Sequence, residues 1–347
     1  MSKRLTEGRL NRYNVLLMDD TRPAASALEL LLGDFDREEF FSDYWEKRSF
    51  FMHHNDPGRF SHLLSRERFM EHTVHHCGHL RANFFDSRNW SAEVELEPSQ
   101  AEKVYESGMT VGASVLDAEG ELKAFLDSFR AGVYSAATPH FNAYYSPDGK
   151  GYIAHFDTHP VWLMQVDGRK HWRIGREPVI RNPQFNIVFP PDREVLRLPW
   201  ITIEKPDLEN DEKFVSVTLN PGDVIYMPPG TWHQARAEGF SLALTLAQSR
   251  ITALDLLLTV LQHSLPAPEF KALGERVGGQ QAARRDGGHL DPDVEAVLAE
   301  RLEMFKHLVS RIEMPNLRAA WGQVSQLSAK DMNFMGAKEV AAVLKNR

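Results

Sequence analysis

Residues 141–248 break into short extended segments separated by Gly, Pro, Asp and Asn. That pattern predicts an antiparallel barrel or sandwich for the centre of the chain. Within it, His155 and Asp157 stand two apart. Side chains alternate faces on an extended strand, so both point the same way. His233 lies far downstream, in Gly222-Asp223-Val224-Ile225-Tyr226-Met227-Pro228-Pro229-Gly230-Thr231-Trp232-His233. This run reads as a strand, a tight turn at Pro229-Gly230, and the start of a second strand.

Two imidazoles and one carboxylate leave three coordination positions open, the facial triad used by non-haem Fe(II) oxygenases. A lone His-x-Asp arises often by chance; the distal His behind a Pro-Pro-Gly turn makes the set more specific. The competing reading is a surface pair plus an ordinary loop histidine.

Residues 161–166 and 169–174 flank Asp167-Gly168, a two-residue hairpin signal. A hairpin there sets Gln165 opposite Lys170, Leu163 opposite Trp172 and Val161 opposite Ile174. The odd positions share parity with His155 and Asp157, so Lys170 and Trp172 are expected to face the same interior as the metal ligands. A buried ammonium is costly unless it meets an anion. Its functional reading is a partner for the distal carboxylate of a 2-oxo acid on the iron, with Arg169 and Arg173 the next candidates. The bland reading is a solvated hairpin lysine.

The remaining signals are structural. In residues 36–48, Phe40, Phe41, Tyr44 and Trp45 gather on one helical face. Ser65 is placed to cap a second helix. Residues 80–115 read as broken strand and 116–131 as helix. After Arg250, residues 253–263 and 292–312 read as helices separated by the loop 278–288. His72, His75, His76, Cys77 and His79 form a second metal-capable cluster, but Gly78 interrupts it, and it is expected to be a loop or helix end without metal. His159 and His171 flank the site and are candidate substrate contacts.

Composition narrows the class. The chain has 347 residues, 42% hydrophobic and 25% charged, as an ordinary globular protein has. A net charge of −8 argues against a general nucleic-acid binder. Cys77 is the single cysteine, so no intrachain disulfide forms. Neither a signal-peptide core nor a membrane-spanning run is visible, and a cytoplasmic protein without membrane contact is expected.

Three segments together resemble the JmjC oxygenases: Tyr152-Ile153-Ala154-His155-Phe156-Asp157, Gln165-Val166-Asp167-Gly168-Arg169-Lys170-His171-Trp172-Arg173, and residues 222–235. They look most like the ribosomal oxygenase group, a cupin-like family. Residues 43–51 resemble the entry helix of that group, and the likeness spans residues 35–250. The resemblance implies a mainly β fold, a double-stranded β-helix (jelly-roll) with flanking helices, followed by a helical C-terminal region. Its implied divisions are an N-terminal extension 1–34, a JmjC-like domain 35–250 and a dimerisation region 251–347.

The resemblance further implies Fe(II) held by His155, Asp157 and His233, with 2-oxoglutarate and O2 as co-substrates. Lys170 then matches the family's 2-oxoglutarate cation, and Asn142 and Tyr144 match two residues of an earlier strand. Ser241 or Thr245 supplies a hydroxyl, with Thr245 taken as the cofactor contact. The implied reaction hydroxylates an amino-acid side chain in a protein or peptide, coupled to decarboxylation of 2-oxoglutarate. The alternatives are a hydroxylase of a small metabolite or peptide natural product, and a non-catalytic cupin-type binding protein. A homodimer is expected from the apolar stripes on the C-terminal helices.

Overall fold

The computed structural model describes residues 26–85, 91–116, 119–133, 139–190, 192–198, 201–248, 253–264, 273 and 292–324. The expected loop 278–288, and most of the N-terminal extension, lie outside these residues. The strands are β1 Phe50–Met52, β2 Cys77–Phe85, β3 Ser91–Glu95, β4 Thr110–Leu116, β5 Pro139–Pro147, β6 His155–Phe156 and β7 Val161–Gly175. They continue as β8 Ile187–Val188, β9 Val195–Leu198, β10 Ile201–Glu204, β11 Phe214–Leu219, β12 Val224–Met227 and β13 His233–Gln248. The helices are α1 Ala27–Leu32, α2 Arg37–Glu39, α3 Arg66–Glu71, α4 Ala101–Glu106, α5 Gly120–Val133, α6 Ala253–Ser264, α7 Pro292–Ser310 and α8 Met314–Val324.

β7 and β13 pair antiparallel along most of their length and serve two layers. At one end they are flanked by β12 and β5; at the other, by β11 and β6. The result is two facing layers, β12-β7-β13-β5 and β11-β7-β13-β6, which is the double-stranded β-helix. β4, β2 and β3 extend the first layer beyond β5.

The hairpin expected at Asp167-Gly168 is absent. β7 continues through these residues, and Gln165 pairs with Ala243 while Lys170 pairs with Ala237. The turn signal is used as a bend instead. Gly168 has φ +65°, and a Cβ there would fall 2.2 Å from the Phe240 carbonyl oxygen. β13 bends alongside, with register shifts between Glu238 and Ser241 and between Leu242 and Ala243. The buried Gln165 amide staples the corner, donating to the Asp167 carbonyl at 2.7 Å and to the Ser241 hydroxyl at 3.0 Å. The bend inserts one residue, so inward parity passes from odd to even along β7. Val161, Leu163, Trp172 and Ile174 therefore share the interior with Ala235, Ala243, Ile225 and Leu219.

The outer face of the first layer is covered by helices. Trp162, Met164, Leu242 and Leu244 pack there against Leu28 and Leu31 of α1 and Phe125 and Phe129 of α5. The aromatic segment 36–48 is not one α-helix: α2 runs into a π-helix over Phe40–Tyr44, closed by Trp45 N–H to the Phe40 carbonyl at 2.9 Å. The wider turn brings Phe40, Tyr44 and Trp45 together, and Phe40 seats against Trp162 and Tyr226. Ser65 caps α3 as expected, accepting from Arg68 N–H at 3.2 Å. α4 interrupts the strand-like stretch 80–115, and α8 follows the two helices expected after Arg250.

Candidate active site and metal centre

β6 and β13 are antiparallel neighbours, and His155 lies opposite His233. Their ring centroids are 4.0 Å apart. Asp157 follows β6, with an Oδ2 3.6 Å from His233 Nε2. One ligand atom from each of the three lies within 4.8 Å of the others, the one such donor group among the described residues. His155 Nδ1 lies 2.7 Å from the Ile153 carbonyl and His233 Nδ1 2.9 Å from the Thr231 carbonyl. A carbonyl only accepts, so both Nδ1 atoms carry the proton and both Nε2 lone pairs are free to ligate.

Electrostatics agree. Burial, with the neighbouring His155, pushes His233 down to about 3. Burial pushes the Asp157 carboxyl up, but the imidazoles of His159, His155 and His233 outweigh it and hold the group below its ordinary value. Neutral imidazole and ionised carboxylate are the forms a metal requires.

The Pro-Pro-Gly turn fixes this geometry. Gly230 has φ +76°, and a Cβ there would sit 1.9 Å from the Ile180 carbonyl oxygen. Its N–H donates to the Asp157 carbonyl at 2.8 Å. One glycine thus ties the segment that presents His233 to the segment that presents Asp157.

Lys170 is 2% exposed in the interior, as expected, although the register that placed it was wrong. Its Nζ donates to Ser146 Oγ at 3.2 Å and lies 5.7 Å from the Trp172 ring centroid. Among the described residues, no carboxylate stands within ion-pair distance of it. Burial, then the neighbouring Arg236, lowers Lys170 to about 8. Trp172 Nε1 and Thr245 Oγ1 are buried without hydrogen-bond partners. An ammonium without a carboxylate partner, close to a tryptophan whose ring N–H is unpaired, is a setting that suits an anion.

Asn142 and Tyr144 face the interior from β5, because Phe141, Ala143 and Tyr145 between them belong to the outer core. Tyr144 packs edge-on against Tyr152, whose ring lies 5.5 Å from His155. Of the two hydroxyl candidates, Ser241 is engaged at the corner by Gln165, while Thr245 remains unpaired beside Asn142. Ser146 and Tyr152 were not anticipated; extending the alternation from Asn142 and Tyr144 by one step identifies Ser146.

Other candidates fall away. Arg169 pairs with Glu238, and Arg173 with Asp211, on the outside. His171 also points outward, to Thr218 and Glu238, whereas His159 stays beside Asp157. His72 and His76 stack at 4.1 Å, but residues 72–79 form a 3-10 turn and a strand, not the helix on which three histidines would share a face.

Residues 121–256 match the JmjC domain family. Over those residues the chain is similar to a JmjC domain. Over 297 residues it is 25% identical to the bifunctional lysine-specific demethylase and histidyl-hydroxylase NO66 of Culex quinquefasciatus, covering 79% of this chain and 42% of that protein. Over 314 residues it is 26% identical to ribosomal oxygenase 1 of Gallus gallus, covering 85% of this chain and 49% of that protein. The chain thus spans under half of either relative. Among solved structures, the chain is similar to the Escherichia coli ribosomal oxygenase YcfD in complex with cobalt and 2-oxoglutarate. The TM-score is 0.54 at 17% identity, covering 84% of this chain and 71% of that one. At that identity the likeness speaks for the fold.

Proposed function

We propose that this chain is an Fe(II)- and 2-oxoglutarate-dependent oxygenase that hydroxylates an amino-acid side chain in a protein or peptide. One observation carries the reading. A three-donor cluster with its Nε2 atoms free, and a buried ammonium without a carboxylate partner, face the same interior. A binding protein has no need of both.

His155, Asp157 and His233 would hold the iron, leaving positions for a chelating 2-oxo acid and for O2. Lys170 and Ser146, with Thr245, Trp172, Asn142 and Tyr144 around them, would hold the distal carboxylate. When bound, the pair supplies oxygen insertion: one atom of O2 enters 2-oxoglutarate as it becomes succinate and CO2, and the other enters a substrate C–H bond. The protein's part is to orient the chelate, keep the interior dry and place one C–H bond beside the metal. The likeness to a histidyl-hydroxylase and to a ribosomal oxygenase supports a polypeptide substrate.

The test is to incubate iron-loaded protein and 2-oxoglutarate with a lysate of the host. Mass spectrometry should find specific peptides heavier by one oxygen; a loss of methyl groups instead would make the chain a demethylase. We also read the protein as a cytoplasmic homodimer that binds neither nucleic acid nor membrane. No described helix is long and apolar enough to cross a membrane. Leu257, Leu258, Leu302 and Phe305 leave apolar faces of the C-terminal helices open to a second copy.

A further inference from the structure

Even-numbered residues of β5 form one wall of the site. Ser146 receives Lys170, Tyr144 meets Tyr152 beside His155, and Asn142 stands opposite Thr245. The last residue on that wall is His140. It is only 8% exposed, and its Nδ1 has no hydrogen-bond partner. It lies opposite Ala247 of β13, which lies opposite Val161 of β7, so it belongs to the interior. Its ring feels His159, and His159 in turn acts on Asp157 and His233. Lys170 is 2% exposed and the Asp157 side chain 20%, so the donor cluster lies nearer the surface than the lysine does.

His140 therefore stands on the same interior wall as Asn142 and Tyr144, the wall that runs past the donor cluster. An orphaned ring nitrogen in a dry wall is costly, and such groups are kept where a ligand satisfies them. Lys170 meets Ser146 at the other end of β5, so the carboxylate these two would bind is not the group that reaches His140.

We propose that His140 determines substrate specificity, its Nδ1 accepting a hydrogen bond from the polypeptide side chain that enters the site. It selects side chains bearing an N–H or O–H over aliphatic ones. The inference rests on the oxygenase reading above. Burial, aided by His159, lowers this imidazole to about 4, so it is neutral near pH 7 and keeps one nitrogen as an acceptor.

The test uses full-length protein with Fe(II), 2-oxoglutarate and host-lysate polypeptides, and reads oxygen inserted per succinate released. This coupling ratio counts active molecules alone, so partial misfolding of a variant does not disguise the result. His140→Phe keeps a ring but loses the acceptor, and the ratio should fall about tenfold. His140→Asn returns an acceptor near the Nδ1 position and should restore the ratio to within about threefold. The modified residues should carry N–H or O–H groups. The inference is overturned if His140→Phe keeps the wild-type ratio or if Asn is no better than Phe. It is equally overturned if wild-type protein releases succinate while modifying aliphatic residues alone, or nothing. No succinate from wild-type protein under any condition is a different failure, that of the oxygenase reading itself.

Discussion

Lys170 concentrates the chemistry that single residues carry. Lys170→Ala should raise the 2-oxoglutarate requirement roughly ten- to hundred-fold, the worth of a charge-assisted contact, and leave iron affinity nearly unchanged. Calorimetric titration of each ligand checks both. The pH dependence has a definite sign. The folded value is lowered from 10.5 to about 8. Below about 8 the lysine is charged in both states, and its burial cost is borne in full. Between about 8 and 10.5 the unfolded chain holds a proton the fold has released, so this group makes stability rise with pH there. Anion binding above pH 8 must recover that proton, so 2-oxoglutarate affinity should fall by up to about tenfold per pH unit. In Lys170→Ala that slope should vanish; an unchanged slope would assign it to another group. The donor cluster was legible because its spacing is local at His155 and Asp157, and because a distinctive turn marks His233. Ser146, Tyr152 and His140 were not, since a serine, tyrosine or histidine on a strand carries no signal until its neighbours across the sheet are known.

Among the elements, two glycines hold the site's shape. Gly230→Ala adds a Cβ that meets the Ile180 carbonyl and forces a left-handed backbone on an L residue. The cost is at least about 2 kcal/mol, and it falls on the turn joining Asp157 to His233. Iron affinity should drop before the melting temperature does, because the barrel core lies elsewhere; equal losses of both would make Gly230 a general stability residue. Gly168→Ala should act the other way, lowering the melting temperature through the corner of β7 and β13. Asp167-Gly168 shows why sequence reading erred here. A left-handed glycine after Asp suits a two-residue turn and a bulged bend equally well, and the partners across the sheet decide between them. The inward parity of Lys170 and Trp172 survived because either device inserts the same half-step. The aromatic segment 36–48 misled similarly: a spacing of four and five fits an α-helix roughly and a π turn better.

At the scale of the whole molecule, the central β signature and the order of the motifs were enough to reach the double-stranded β-helix. What covers the C-terminal helices was not legible, since an apolar stripe names no partner. Leu302 is 52% exposed and Phe305 43%, on a helix whose Leu308 is buried. Light scattering should give the mass of two chains at micromolar concentration, and Leu302→Glu with Phe305→Glu should give one. A wild-type monomer would leave these helices as a cap within a single chain. The account as a whole stands on the donor cluster being an iron site that turns over 2-oxoglutarate. The direct measurement is succinate release by purified protein, with and without added Fe(II), beside Asp157→Ala and His233→Ala variants whose circular dichroism matches wild type. Iron-dependent succinate from the wild type and none from either variant is the predicted result. Succinate formed equally by all three, or by none of them, would contradict it.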